Sequence, residues 1–335
     1  VLVLYGWCAA RSCTCAARST FIMTLRPRLA LLAGRALGAT PFLSAAAAPG
    51  AGIPALAQSA LVFGAANTVG FGISLATNWH YHLDLIGTGV FTVAAIVVGG
   101  RGDLRQSLSS AGVAIWASKL AGFLFYRALQ TKRDGRLEDT LSTPTGAFGF
   151  WFISFLWGFV VSLPHTLAAG VPLTGRPAFG GVAALAGMLL YGTGLSLETA
   201  ADAQKWMFKK DPANSGKFCD VGVWQLTQHP NWLGNLMIWT GLLIFNAPTL
   251  LAAAPKGASW LHRMGRFAGA ASSPLFLLAL FYGQATDTIA NAVALANAKY
   301  GKDPRYQEYV KNVPLVLPTL KSIGRFFRSS APTLE

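Results

Sequence analysis

The chain has 335 residues, 53% of them hydrophobic and only 12% charged, with 27 Lys and Arg against 13 Asp and Glu for a net charge of +14. Soluble domains carry about 25% charged residues, so this composition argues against an ordinary soluble fold and for an integral membrane protein. The basic excess fits a positive-inside loop bias joined to a basic targeting region, and no nucleic-acid partner is expected because no soluble domain could present the surface.

Taken from its start, the chain opens on valine and has its first methionine at Met23, so residues 1–22 read as translated leader or an undefined start. Residues 1–50 contain arginines, alanines and serines, and the first acid of the whole chain is Asp84. That pattern suits an organelle transit peptide, plastid or mitochondrial, ahead of a secretory signal; Arg35 interrupts the apolar run Leu29 to Leu37 that a signal would need. An organelle membrane is therefore expected, with the endoplasmic reticulum as the alternative. Cys8, Cys13 and Cys15 lie in this region without a second ligand pair, and Cys219 is alone, so neither a metal site nor a disulfide framework is expected.

Residues 51–322 read as one all-α membrane domain, followed by a basic tail at 323–335. A spanning helix needs about 20 mostly apolar residues, and about seven stretches qualify: 55–76, 82–100, 108–129, 146–169, 179–200, 231–253 and 271–294. Seven spans put three basic regions on one face: Lys132 to Arg136, Lys205 to Lys217, and the tail beyond 295. The loop 254–270 falls on the other face yet holds Lys256, Arg263 and Arg266, an exception to the positive-inside rule.

Four polar groupings stand out. Glu198, Asp202, Lys205 and Lys209 are spaced by four, three and four, hence on one helical face, where the lysines could hold phosphates and Asp202 a ribose or amide; a solvated helix end with ordinary ion pairs gives the same spacing. The stretch Gly222 to Trp239 carries His229-Pro-Asn-Trp232 at the entry to the sixth span. Pro230 suits a first helical position, and the amides of that helix end favour a phosphate or polarised carbonyl. Asn231 and Asn235 share a face there, with Gly234 permitting close approach, while helix capping and an interfacial Trp232 are the plainer account. Gln284, Asp287 and Asn291 form a third group in the seventh span, either functional or an interhelical hydrogen-bonding set. The fourth is Tyr300 to Tyr309, whose tyrosines and basic residues either grip a nucleotide or lie against the bilayer.

The run Ala201-Asp-Ala-Gln-Lys205, Phe208, Asn214-Ser-Gly-Lys-Phe218, Gly222-Val-Trp224 and His229-Pro-Asn231 resembles the DUF1295 family, multi-span proteins related to the C-terminal domain of steroid 5-alpha-reductases. The likeness extends through Tyr81 to Asp84, Trp116, Arg127, Phe150-Trp151 and Ser162-Leu-Pro164, and downstream through Tyr306, Glu308-Tyr309 and Leu317-Pro318, covering roughly 80–320. It implies a reductase-like helical bundle with its cofactor region at about 198–318. The implied activity is NADPH-dependent reduction of a carbon–carbon double bond in a lipophilic, steroid- or isoprenoid-like substrate, and so a place in lipid metabolism. Asn231 matches a cofactor-contacting asparagine and Asp202 an acid near the cofactor.

The cofactor-binding set that follows is Asp202, Lys205, Lys209, Asn214, Lys217, Trp224, His229, Asn231, Asn235 and Tyr309; the catalytic candidates are His229, Asp287 and Tyr306. Related S-adenosylmethionine-dependent methyltransferases share the His-Pro signature, which keeps that cofactor as an alternative. The chain also departs from the family pattern. Gln228 stands for an arginine, Trp232 for a tyrosine, Asn235 for a glutamate, and Ser118-Lys119 for a Leu-Arg pair. Gln228 and Asn235 together could replace an arginine–glutamate pair by two amides. These changes leave open a non-catalytic membrane subunit that binds lipid, pigment or a partner complex.

Overall fold

The structure is a computed structural model that describes residues 53–77, 81–99, 102–131, 141–255, 257–286 and 292–330. Among the described residues are eleven α-helices and no strand: α1 (Ala55–Thr77), α2 (Leu83–Gly99), α3 (Leu104–Thr131), α4 (Pro144–Val161), α5 (Leu163–Ala169), α6 (Gly181–Lys210), α7 (Pro230–Leu250), α8 (Trp260–Ala285), α9 (Ala292–Tyr300), α10 (Pro304–Asn312) and α11 (Leu320–Ser330). Six are long and apolar enough to cross a membrane, namely α1, α3, α4, α6, α7 and α8, while α2 is a shorter apolar helix of 17 residues. The protein is a multi-pass, all-α membrane bundle. Val69, Ile96, Ile115, Val182, Leu189 and Leu275 stay exposed on its helices, as a surface solvated by lipid tails requires.

Three expected boundaries move, each for a local reason. The span expected at 146–169 breaks at Ser162 into α4 and α5, because Pro164 has no N–H to continue the ladder. The fifth span does not stop near 200: α6 runs 30 residues to Lys210, about 45 Å against a hydrocarbon core of about 30 Å. Its last turns therefore stand at headgroup depth, where Asp202, Lys205 and Lys209 are tolerated. The last span begins at Trp260 rather than 271, started by Ser259, whose hydroxyl accepts from the His262 N–H.

At the centre an aromatic hub joins five helices. The Phe91 ring meets Phe63 and Trp157 at 4.9 Å, Trp116 at 5.2 Å and Trp239 at 5.6 Å between centroids. The tightest helix pair is antiparallel α6 and α7. A Cβ on Gly194 would sit 2.6 Å from the Gly234 oxygen, and one on Gly234 would sit 2.6 Å from the Gly194 oxygen and 2.7 Å from the Glu198 nitrogen. Two turns along, Gly187 and Gly241 repeat the arrangement, with Cβ positions 2.7 and 2.8 Å from each other's carbonyl oxygens. Small residues let backbones touch where lipid provides no hydrophobic drive between helices.

The bundle end that carries the connection between α7 and α8 is closed by three arginines that cap carbonyl groups. Arg266 donates to the oxygens of Leu250, Ala252 and Ala254 at and beyond the end of α7; Arg176 donates to Ala169 and Val171; Arg105 donates to Phe245 and Ala178. Arg266, an apparent exception to the charge rule, is thus a cap on a negative helix end. Gly234→Ala is expected to lower the thermal unfolding midpoint in detergent, because its methyl group meets backbone on both sides. Gly265→Ala, whose Cβ meets nothing within 4 Å, should be neutral or stabilise by up to about 1 kcal/mol.

Candidate functional site

Because α6 and α7 run antiparallel, the closing turns of one and the opening turns of the other share an end of the bundle. The glycine contact presses Glu198 against α7 until it is fully buried. A carboxylate there must be paired, and three donors meet it: Lys119 Nζ at 2.7 Å, Asn235 Nδ2 at 3.1 Å and Trp116 Nε1 at 3.3 Å. The chain's own side chains thereby satisfy the charge and leave several oxygens over. Asn235 Oδ1, Asn231 Oδ1 and Asp202 Oδ2 are buried acceptors with no hydrogen-bond donor. Asn231 lies one turn before Asn235 on α7, and Asp202 one turn beyond Glu198 on α6. Lys119, Arg127 and Lys205 all lie within electrostatic reach of Asp202.

His229 precedes α7, its ring flat on Trp232 at 3.8 Å and 11°, and Trp232 stacks in turn on Phe281. Burial, reinforced by the Lys205 charge, pushes His229 down to about 3. The imidazole is therefore neutral at physiological pH and able to donate one ring N–H.

An outer layer covers this end. Lys205 Nζ lies 4.3 Å from the Trp224 ring centroid; Trp224 Nε1 donates to Ala201 O, and Tyr309 donates its hydroxyl to Trp224 O at 2.7 Å. Lys209 donates to the Lys217 carbonyl and to the Tyr300 hydroxyl. Phe218 sits among Tyr300, Tyr306 and Tyr309 with centroids 5.2 to 6.1 Å away. Burial raises the Tyr306 and Tyr309 phenols, so both stay protonated. A cleft of about 400 Å³ opens among Asn297, Gly301, Tyr306, Gln307, Val310 and Lys311.

The expected site residues thus fall into two layers. Asp202, Asn231 and Asn235 lie inside, Lys209, Lys217, Tyr306 and Tyr309 outside, and Lys205, Trp224 and His229 link them. Asn214 turns to its own Asp211 at 3.4 Å, and Tyr306 donates to Asn297 Oδ1 at 3.1 Å. Gln284 is buried near the end of α8, whereas Asp287 and Asn291 lie outside the described residues. The idea that Gln228 and Asn235 stand in for one ion pair fails. Gln228 donates to the carbonyls of Val310 and Val313, while Asn235 donates to Glu198. The residue that sequence reasoning missed is Lys119 as the partner of Glu198; its signal was a lysine in the middle of an apolar segment, which needs an acid at its own depth.

A family model described as a protein of unknown function, DUF1295, matches residues 70–313. Neither a curated protein nor a solved structure matches the chain.

Lys119→Met should cost about 3 kcal/mol in denaturant unfolding by stranding a buried carboxylate, and Glu198→Gln added to it should restore most of the loss. The His229 shift has a defined sign. Between about 6.5 and 3 the unfolded chain binds the proton that the folded chain refuses, so this residue's contribution to stability falls as pH falls through that window. His229→Gln should flatten the decline in melting temperature between pH 7 and pH 4 relative to the unaltered protein.

Proposed function

The chain belongs to the DUF1295 family, and on that premise we propose that it is a membrane-embedded, NADPH-dependent reductase of a carbon–carbon double bond in a lipophilic, steroid- or isoprenoid-like substrate. The observation that carries this reading is the set of three donorless buried oxygens, on Asp202, Asn231 and Asn235, with the charges of Lys119, Arg127 and Lys205 acting on Asp202. Buried acceptors without donors are costly unless a ligand supplies the hydrogens. A nicotinamide carboxamide and ribose hydroxyls are such donors, and phosphates answer the cations. S-adenosylmethionine brings donors too, but its cationic sulfonium and lack of phosphate suit a lysine- and arginine-rich end less well.

In this reading Asn231 and Asn235 orient the nicotinamide end, Asp202 accepts from a ribose hydroxyl, and Lys205 with Lys209 binds phosphate. NADPH, when bound, supplies a hydride to the electrophilic carbon of a polarised alkene. Neutral His229, held flat by Trp232, can present its one ring N–H as a hydrogen bond to a carbonyl oxygen, and the proton that completes the reduction comes from water. The Tyr306 hydroxyl is engaged by Asn297. The aromatic hub and the lipid-exposed helices provide apolar surroundings for the substrate.

One observation favours a second reading, a non-catalytic subunit. Gln228 and Asn235, both departures from the family pattern, use their amide donors to hold the tail and Glu198. Titration of the purified protein separates the two. Saturable NADPH binding, weakened about tenfold (about 1.4 kcal/mol) or more by Asn231→Ala and by Lys205→Ala, is the expected result. Saturable S-adenosylmethionine binding instead would move the assignment to methyl transfer, and binding of neither would leave the non-catalytic reading.

A further inference from the structure

α11 reads Leu-Lys-Ser-Ile-Gly-Arg-Phe-Phe-Arg-Ser-Ser, with three basic residues and no acid. Its faces separate sharply. Ser322 is fully buried, and Phe326 packs inward against Ala201, Cys219, Val223 and Trp224. Leu320 and Phe327, seven residues apart and so on one face, are 89% and 67% exposed. Lys321, which is exposed, and Arg325 are four residues apart and so share a helical face, which places two cations on the face next to the apolar ridge.

The height of this helix follows from its inward contacts. Phe326 packs on the cluster formed by Ala201 of α6 with Cys219, Val223 and Trp224, and α11 lies against the turn Gly222–Gln225. Slightly further along α6, Trp206 meets Tyr126 at 5.8 Å and lies under Lys210 Nζ at 4.8 Å. Tryptophan, tyrosine and lysine together mark the headgroup level of a bilayer. α11 is thus held beside the headgroups, with an apolar ridge facing away from the protein and two cations next to it. The chemical complement of an amphipathic helix of this composition at this height is the anionic lipid surface around the bundle.

We propose that α11 is a docking surface for anionic lipid headgroups: Leu320 and Phe327 enter the interface while Lys321, with Arg325 one turn on, pairs with lipid phosphates. The assignment stands independently of the reductase reading. Through Phe326 it fastens the Trp224 turn, on which Lys205 and Tyr309 converge, to the membrane surface.

The test is amide hydrogen exchange on the full chain in phosphatidylcholine nanodiscs, compared with nanodiscs that also contain phosphatidylglycerol. Residues 320–330 should exchange severalfold more slowly in the anionic membrane, and high salt should erase the difference while exchange in α7 stays constant. Lys321→Glu with Arg325→Glu should abolish the difference. If that pair unfolds the tail, seen as fast exchange in both membranes, Lys321→Gln should still reduce it. Equal exchange in the two membranes, or a difference that survives charge reversal, overturns the proposal. Protection that instead grows with protein concentration in both membranes overturns it in favour of a second copy of the chain.

Discussion

Two helix backbones in direct contact set the terms for everything at the candidate site. Gly187 and Gly194 on α6 meet Gly241 and Gly234 on α7 with no side chain between them. Dispersion over that seam takes the role that water-driven burial plays in a soluble core. The approach that gains this contact also removes solvent from Glu198. A carboxylate without water must find donors or give up its charge, and the donors come from α3 as well as α7. The seam therefore binds three helices and not two. The ion pair is not a net source of stability in its own right, since a buried pair roughly offsets its desolvation. What it contributes is register: Lys119 and Trp116 fit Glu198 in one alignment of α3 against the α6–α7 pair.

The organisation of the site follows from how those donors are spent. Glu198 takes the available hydrogens and leaves Asn231, Asn235 and Asp202 with bare oxygens among apolar helices. The outer layer is the reverse, with nearly every polar group answered by backbone or by a neighbouring ring. Tyr309 holds Trp224, Gln228 holds the α10 end, and Thr227 donates to Leu315 O at 2.8 Å. A satisfied outer layer thus lies over an unsatisfied interior.

The fold was legible in the sequence because membrane spans are encoded by uninterrupted apolar length, which needs no tertiary knowledge. Their ends were less so. The break at Ser162 depends on one proline, and the extra turns of α6 depend on side chains tolerated past the hydrocarbon edge. At the site, the spacing of Glu198, Asp202, Lys205 and Lys209 already placed them on one helical face. Their division of labour was not readable, because it depends on Lys119, 79 positions before Glu198 in a separate helix. Gln228 and Asn235 show the same limit. They stand seven residues apart, yet one precedes α7 and turns to the tail while the other faces α6. Local spacing specifies a face only where both residues are on the same helix.

The arginines that cap carbonyls at the far end bear on how the chain is inserted. Arg105, Arg176 and Arg266 find their carbonyl oxygens only after the helices that present them have been laid down and packed. While the chain threads into the bilayer, these cations are still bare and are read by the insertion machinery as charges to be kept back. Their passage has to be outweighed by the larger cluster of lysines and arginines at the other end. Orientation and capping are thus successive uses of the same side chains: a resistance to translocation during synthesis becomes a lock on the finished bundle.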